Sequence, residues 1–252
     1  MRVAVVGASG RIGRDVTDVL RTQGHEVVGI SRSAGVDVRT GAGLGDALAG
    51  VDVAVDAINA ATTETAAVTE FFRTVARNVQ RAAAAAGVRR IALVSIIGID
   101  RFTAGHYAGK LAQETAYREG PVPVRILRAA QFHEFTEMML DWTTRGDTAY
   151  VPKYRAQLVA ARTVAEELAH LAVAETAPGS VEIAGPEELE LAAAVAEVAA
   201  RRGEPARVEE VVDLDDPNHE LQADGALLPG PGAILAGPTF QQWLTRKYPA
   251  QP

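Results

Sequence analysis

Residues 3–16 read VAVVGASGRIGRDV, and how this stretch folds decides the architecture of the chain. Its first four residues are apolar and mostly β-branched, the composition of a strand buried on both faces. Gly7, Gly10 and Gly13 follow at three-residue intervals, and a helical run starts at Ile12 before the last of them. The chain must turn sharply here, let another group come close to its backbone, and pack a helix start onto a strand end. Glycine meets each demand because it has no Cβ. The helix start then offers unbonded N–H groups and the positive end of its dipole, which favour a phosphate. Gly7, Ser9, Gly10, Arg11, Ile12 and Gly13 are therefore candidate contacts for a pyrophosphate.

Outward from this loop, β-branched runs alternate with longer helical stretches. Strands are expected at Val3–Val6, Glu26–Ile30, Val53–Ile58, Ile91–Ile96 and Val124–Leu127. Helices are expected near Ile12–Gln23, Gly43–Leu48, Glu64–Ala86 and Ala104–Arg118. Apolar strands separated by helices imply parallel pairing with both faces covered and right-handed crossovers. Gly24 and Gly87 each follow a helix, as left-handed caps do. Beyond Leu127 the pattern loosens: helices are expected at Gln131–Arg145, Thr163–Glu175, Glu188–Arg202 and Phe240–Tyr248, with one strand at Val181–Ile183. The expectation is an α/β, Rossmann-type, doubly wound parallel sheet with a small C-terminal substrate-binding lobe. Residues 1–130 form the dinucleotide-binding core and 131–252 the lobe, packed as a single compact unit.

The end of the second strand bears on the choice of dinucleotide. An acidic residue there binds the ribose 2′-hydroxyl of NAD, whereas arginine accommodates the 2′-phosphate of NADP. This chain has GISRS, so Ser31, Arg32 and Ser33 stand in the acid's place, with Arg11 in the loop as a second positive charge. NADP(H) is the expected cofactor. Asp37, after a short third-strand run GVDV, and Asn59, closing VDVAVDAIN, stand at strand ends on the same side. The backbone near Asp37 is placed to flank the adenine and Asn59 to line the nicotinamide ribose, although both residue types also favour ordinary turns.

Bulk properties narrow the classes. The net charge of −7 disfavours nucleic acid as a partner. No cysteine is present, which removes disulfides, thiolate nucleophiles and thiolate-bound metals. His133 and Glu137 are four apart, but two ligands without an HExxH pattern do not make a metal site. With a strand-like run beginning at Arg2 a secretory leader is not expected, and no apolar window approaches a membrane span. A cytoplasmic protein acting on a small molecule, as monomer or homodimer, is the expectation.

Seven segments together carry a resemblance: GASGRIG, GLGDALAGVDVAVDAIN, LVSIIGID, KLAQE, ILRAAQFHEF, VEIAGPEEL and FQQWL. In these the chain resembles the atypical short-chain dehydrogenase/reductases of the NmrA-like, NAD(P)H-binding group. The resemblance implies a Rossmann fold with a substrate lobe, and covers both reductases of quinones, carbonyls and related unsaturated compounds and regulators that bind dinucleotide. It also implies that Lys110 holds the ribose hydroxyls and that Ser95 orients a carbonyl, while His106 occupies the place of the usual tyrosine acid.

Helix geometry separates His106 from its neighbour Tyr107. Residues three and four apart share a face, so His106, Lys110, Gln113 and Tyr117 form one stripe. Tyr107 points about 100° away, along a stripe with Leu111 and Glu114. Lys⁺ nearby lowers a histidine below its free value of about 6.5, leaving neutral imidazole that donates one N–H or acts as a base. The same placement is equally that of a polar residue lining a pocket. Lys110 also has a plain alternative, a surface pair with Glu114. Tyr107, Phe132, His133 and Phe135 are candidate substrate contacts, with Met139 beside them. Three functions follow: an NADPH-dependent oxidoreductase of a small, largely apolar carbonyl, quinone or conjugated substrate; an NADP(H)-sensing regulator; or a non-redox isomerase or dehydratase using the cofactor as scaffold.

Overall fold

The computed structural model describes residues 1–249. In chain order the elements are β1 (Arg2–Val6), α1 (Arg11–Thr22), β2 (Glu26–Ile30), α2 (Leu44–Leu48), β3 (Val53–Asp56), α3 (Thr65–Ala85) and β4 (Ile91–Ile96). Then come α4 (Gly105–Arg118), β5 (Val124–Ala129), α5 (Phe135–Thr143), β6 (Thr144–Arg145), β7 (Thr148–Pro152), β8 (Arg155–Ala156) and α6 (Ala161–Val173). The last are β9 (Ser180–Ala184), β10 (Leu189–Glu190), α7 (Leu191–Arg202), β11 (Arg207–Val211), α8 (His219–Ala223), β12 (Ile234–Leu235) and α9 (Phe240–Lys247). The chain divides into two compact units, one of residues 1–95, 103–128 and 164–181, the other of 96–102, 129–163 and 182–252.

The first unit is the Rossmann-like α/β body. Its parallel sheet runs β9-β5-β4-β3-β1-β2, with the first residues of β9 at its border. β1 pairs with β2 on one side and β3 on the other, so the chain reverses its direction of winding across β1. In open α/β sheets ligands bind at such a reversal, outside the C-terminal strand ends. Every residue of Val3–Val6 is fully buried, because successive side chains enter opposite layers and both layers are covered. On one face Ala4, Val6, Ala54, Ile91 and Leu93 share a core with Leu44, Leu48, Val75, Val79 and Tyr117 from α2, α3 and α4. Arg125, in β5, donates to the carbonyls of Leu171, Ala174 and Glu175, satisfying acceptors that the end of α6 leaves open.

In the second unit β6 and β7 form a hairpin with Thr144 opposite Ala149, and β11 pairs parallel to β7. β8 and β10 make a separate antiparallel pair. β12 pairs parallel with the end of β9, Ile234 opposite Ile183.

Several expectations are corrected. GVDV is not a strand: Gly35 takes φ +79°, Asp37 bridges only to Ala42, and Val36 and Val38 are buried from within a local turn. The helix expected at Gln131–Arg145 starts only at Phe135, because residue 132 bridges to Val159 and the preceding segment is not helical. The third strand stops at Asp56, two residues early, and the seventh helix starts at Leu191 after a two-residue strand. Gly24 and Gly87 do adopt left-handed conformations, at φ +81° and +74°.

Candidate functional site

The glycine loop forms where three strands of the first unit end. Gly7 takes φ +79°, and its N–H donates to the Ile30 carbonyl at the end of β2. A Cβ on Gly7 would stand 2.9 Å from the Ala57 carbonyl oxygen just past β3. One on Gly13 would stand 2.1 Å from the Gly7 carbonyl oxygen, so α1 can approach the turn this closely only with glycine there. α1 begins without a side-chain cap or an acidic residue in its first turn. Ser9, Gly10 and Arg11 are exposed at its mouth, while Ile12 is buried and anchors the helix. An uncapped helix start beside a backbone cleared of Cβ atoms fits the pyrophosphate of a dinucleotide.

The neighbouring strand ends supply the remaining candidates. Ile30 accepts from both Gly7 and Ala8, which holds Ser31 and Arg32 next to the loop. Ser31 and Ser33 hydroxyls bond at 2.9 Å, and Arg32 is exposed with no ion pair among the described residues. Asp37 closes its own turn by accepting from the Arg39 N–H, and Asn78 of α3 ties that turn down through the Val38 and Arg39 carbonyls. Asn59 is exposed beyond β3 and accepts from the next N–H, that of Ala60.

A second cluster of the same unit is built on α4. Its first N–H, on Gly105, donates to Thr65 of α3 at 2.9 Å. A Cβ at Gly109 would lie 3.0 Å from both Phe72 and Val68, so glycine lets α4 close onto α3. His106 and Lys110 consequently meet the Phe72 ring, His106 edge-on at 5.5 Å between centroids and the Lys110 ammonium 5.0 Å from the centroid. Burial first, and then the charge of Lys110, hold His106 down to about 4. Burial also holds Lys110 down to about 8, against the opposing pull of Asp56 and Glu114.

Lys110 is 4% exposed, and two of its N–H groups go to the Val94 carbonyl at 2.7 Å and the Gln113 side-chain oxygen at 2.5 Å. The surface pair with Glu114 does not form. Glu114 is itself fully buried and engaged by Arg128 at 2.8 Å and Arg118 at 3.0 Å. Ser95, which follows Val94 in β4, is 2% exposed, and its hydroxyl has no partner among the described residues. Tyr107 is half-buried, one position round the helix from His106.

The stripe of His106, Lys110, Gln113 and Tyr117 ends on a residue that sequence reasoning passed over. Asp56 closes β3, is fully buried, and accepts from Gln113 at 3.0 Å and from the Tyr117 hydroxyl at 2.6 Å. The signal was a lone charge in the strand VAVD, four residues that are all buried.

The candidates after β5 belong to the second unit. Phe135 is half-buried against Tyr154 and Trp142, and Phe132 is half-buried at its bridge to Val159. His133 is 1% exposed and packs on Phe240 and Trp243, with one ring nitrogen donating to the Pro238 carbonyl at 3.2 Å. Among the described residues its other nitrogen has no partner, and neither end of the Gln131 amide has one. Among the described residues no cluster of three or more carboxylate and imidazole groups is placed to hold a metal, and no helix is long and apolar enough to cross a membrane.

No protein-family model matches the chain. Uncharacterized proteins of Mycobacterium tuberculosis and Mycobacterium bovis are 42% identical to it over 64 residues. That match takes in 21% of this chain and 8% of each relative, so the chain spans under a tenth of the length of these relatives. Solved structures resemble it over nearly its whole length. The NADPH-dependent quinone oxidoreductase QOR2 of Escherichia coli, solved with NADPH, has a TM-score of 0.69 at 18% identity, covering 98% of this chain and 99% of that one. A nucleoside-diphosphate-sugar epimerase of Staphylococcus aureus reaches 0.74 at 13% identity, covering 97% and 99%. A short-chain dehydrogenase/reductase superfamily protein of Agrobacterium tumefaciens with bound NAD reaches 0.68 at 20%, covering 98% and 95%. These likenesses match the chain to the fold of NAD(P)-binding short-chain dehydrogenase/reductases, as its motifs implied.

Proposed function

We propose that this protein is an NADPH-dependent oxidoreductase acting on a small, largely apolar carbonyl, quinone or conjugated substrate. The observation that carries the proposal is the cradle of Gly7, Gly10 and Gly13 at an uncapped helix start, stitched to a strand end that presents Ser31 and Arg32 instead of a carboxylate. In this reading Gly7, Ser9, Gly10, Arg11, Ile12 and Gly13 hold the pyrophosphate and Arg32 the 2′-phosphate, with Asp37 and Asn59 beside the adenine and the nicotinamide ribose. The bound cofactor supplies the two reducing electrons.

His106 then acts as a neutral imidazole. Held near 4, it is a poor proton donor and a weak base at neutral pH, so its contribution is one N–H bond to the reacting oxygen. Lys110 places positive charge beside that oxygen, and near 8 it holds an exchangeable proton in the neutral range. Ser95 offers an unspent hydroxyl from β4. Tyr107, half-buried beside His106 on α4, is assigned to the substrate.

Two other readings each have one supporting observation. The weak acidity of neutral His106 favours dinucleotide binding without turnover, as in a redox-sensing regulator. The likeness in fold to a sugar-nucleotide epimerase favours an isomerase or dehydratase that uses the cofactor as scaffold.

The test is titration with NADPH and with NADH, followed by a panel of quinones, enones and carbonyls monitored at the nicotinamide absorbance, with His106→Ala and His106→Tyr alongside. Substrate-dependent oxidation that falls at least about tenfold in His106→Ala supports the proposal. Tight binding without oxidation across the panel favours the regulator or scaffold, and no binding of either dinucleotide overturns every reading.

A further inference from the structure

Asp56 is joined to Lys110 through a single side chain. Its three hydrogen-bond partners, the Ile58 N–H, the Gln113 amide and the Tyr117 hydroxyl, are all donors. Among them only the Tyr117 hydroxyl could accept a hydrogen from a protonated carboxyl, and its own hydrogen would then lose its partner, so this set suits an ionised carboxylate. The Gln113 amide has its nitrogen committed to Asp56 and its oxygen to Lys110, which fixes its orientation. Burial holds the Asp56 carboxyl above its ordinary value, and the Tyr117 bond and the charge of Lys110 limit that rise.

A buried charge is costly unless paired and hydrogen-bonded. The groups that face Lys110 come from four elements. α3 contributes the Phe72 ring, β4 the Val94 carbonyl, α4 His106, Gln113 and Glu114, and β3 Asp56. Glu114 is already engaged by Arg128 and Arg118. Asp56 is therefore the carboxylate left for Lys110, although it is 54 positions away in the chain.

We propose that Asp56 is a positioning residue for Lys110: through Gln113 it fixes the lysine amine in place and keeps it in the ammonium form beside His106. Its importance to chemistry rests on the oxidoreductase reading, whereas the link between Asp56 and Lys110 does not.

The charge state of Lys110 can be read without any cofactor. The chain has three lysines, and the other two, Lys153 and Lys247, are exposed. Protein labelled with ¹³C at the lysine ε-carbon therefore gives three signals, with Lys153→Arg and Lys247→Arg assigning two of them. Lys110 should titrate near pH 8 in the unaltered protein. Asp56→Asn should lower that midpoint by about 1 unit or more, the usual effect of removing a nearby opposite charge. Adding Gln113→Glu to Asp56→Asn should raise it again, because the carboxylate then accepts directly from the amine. An unmoved midpoint in Asp56→Asn, or no recovery in the double variant, overturns the proposal. If Asp56→Asn does not fold, Gln113→Leu interrupts the same link, and there too an unmoved midpoint overturns it.

NADPH titrations of the same proteins keep the two ideas apart. A midpoint that moves in a protein unable to bind NADPH sinks the oxidoreductase reading and leaves the link standing. NADPH binding with an unmoved midpoint does the reverse.

Discussion

A β-carbon on residue 13 would lie 2.1 Å from the carbonyl oxygen of Gly7, nearer than any real contact allows. The obstacle is backbone, so no rotamer change relieves it, and Gly13→Ala must push the start of α1 away from β1. We expect a loss of about 2–3 kcal/mol of stability, as for overpacked cores, and loss of NADPH binding at concentrations that saturate the unaltered protein. Gly24→Ala separates close approach from backbone strain. Gly24 takes φ +81° with nothing near its missing Cβ, so it should cost about 1 kcal/mol and leave binding intact. Equal effects of the two substitutions on binding would refute the cradle.

Arg32 should discriminate between the two nicotinamide dinucleotides. It stands exposed after the Ile30 carbonyl that accepts from Gly7 and Ala8, where a 2′-phosphate would lie. A charge-assisted bond to phosphate contributes about 1.5–3 kcal/mol, so Arg32→Ala should weaken NADPH by roughly 10- to 100-fold. NADH lacks that phosphate and should bind within about threefold of the unaltered protein. Calorimetric titration with both dinucleotides measures the difference, and equal losses would show that Arg32 does not choose between them.

The parts that were legible from sequence are those whose physics is local. β1 and β4 announce themselves as apolar runs because both of their faces are buried, and the glycines mark turns that other residues cannot make. β11, RVEEV, has three charged residues in five and carries no such signal. β6, β8, β10 and β12 are two residues each, too short to show a period. Val36 and Val38 misled because apolar residues can be buried from a turn as well as from a strand. At the site, the stripe from His106 to Tyr117 follows from helical spacing. Its partner Asp56 does not, since only the fold brings β3 and α4 together.

Breaking the buried ion cluster on α4 should be costly in a directional way. Glu114 is fully buried between Arg128, which is 13% exposed, and the more exposed Arg118. Arg128→Met leaves the carboxylate buried and half-compensated, and should cost about 3 kcal/mol in denaturant unfolding. Removing both charges, with Glu114→Leu added, should recover much of that loss. Arg118→Ala should cost under about 1 kcal/mol because water screens its side of the pair. If Arg128→Met costs no more than Arg118→Ala, the cluster is not stabilised as a buried one.

Acid should loosen the second unit through His133. Packed on Phe240 and Trp243, this ring is held by burial near 4, well below its free value of 6.5, despite the opposing bond to the Pro238 carbonyl. The unfolded chain therefore takes up the proton first as pH falls. The stability that comes from keeping His133 neutral is fully present above about pH 6.5, declines between 6.5 and 4, and is exhausted below. At pH 4.5 the folded protein should have lost about 2–3 kcal/mol from this ring. His133→Phe retains the ring contacts and gives up the Pro238 bond, at about 1 kcal/mol near neutrality, but has no proton to take up. His106, also held near 4, contributes a similar acid dependence in both proteins and cancels in the difference. The unfolding free energies of the two proteins should therefore converge and then cross as pH falls from 6.5 to 4.5. Parallel profiles would remove His133 from the acid response.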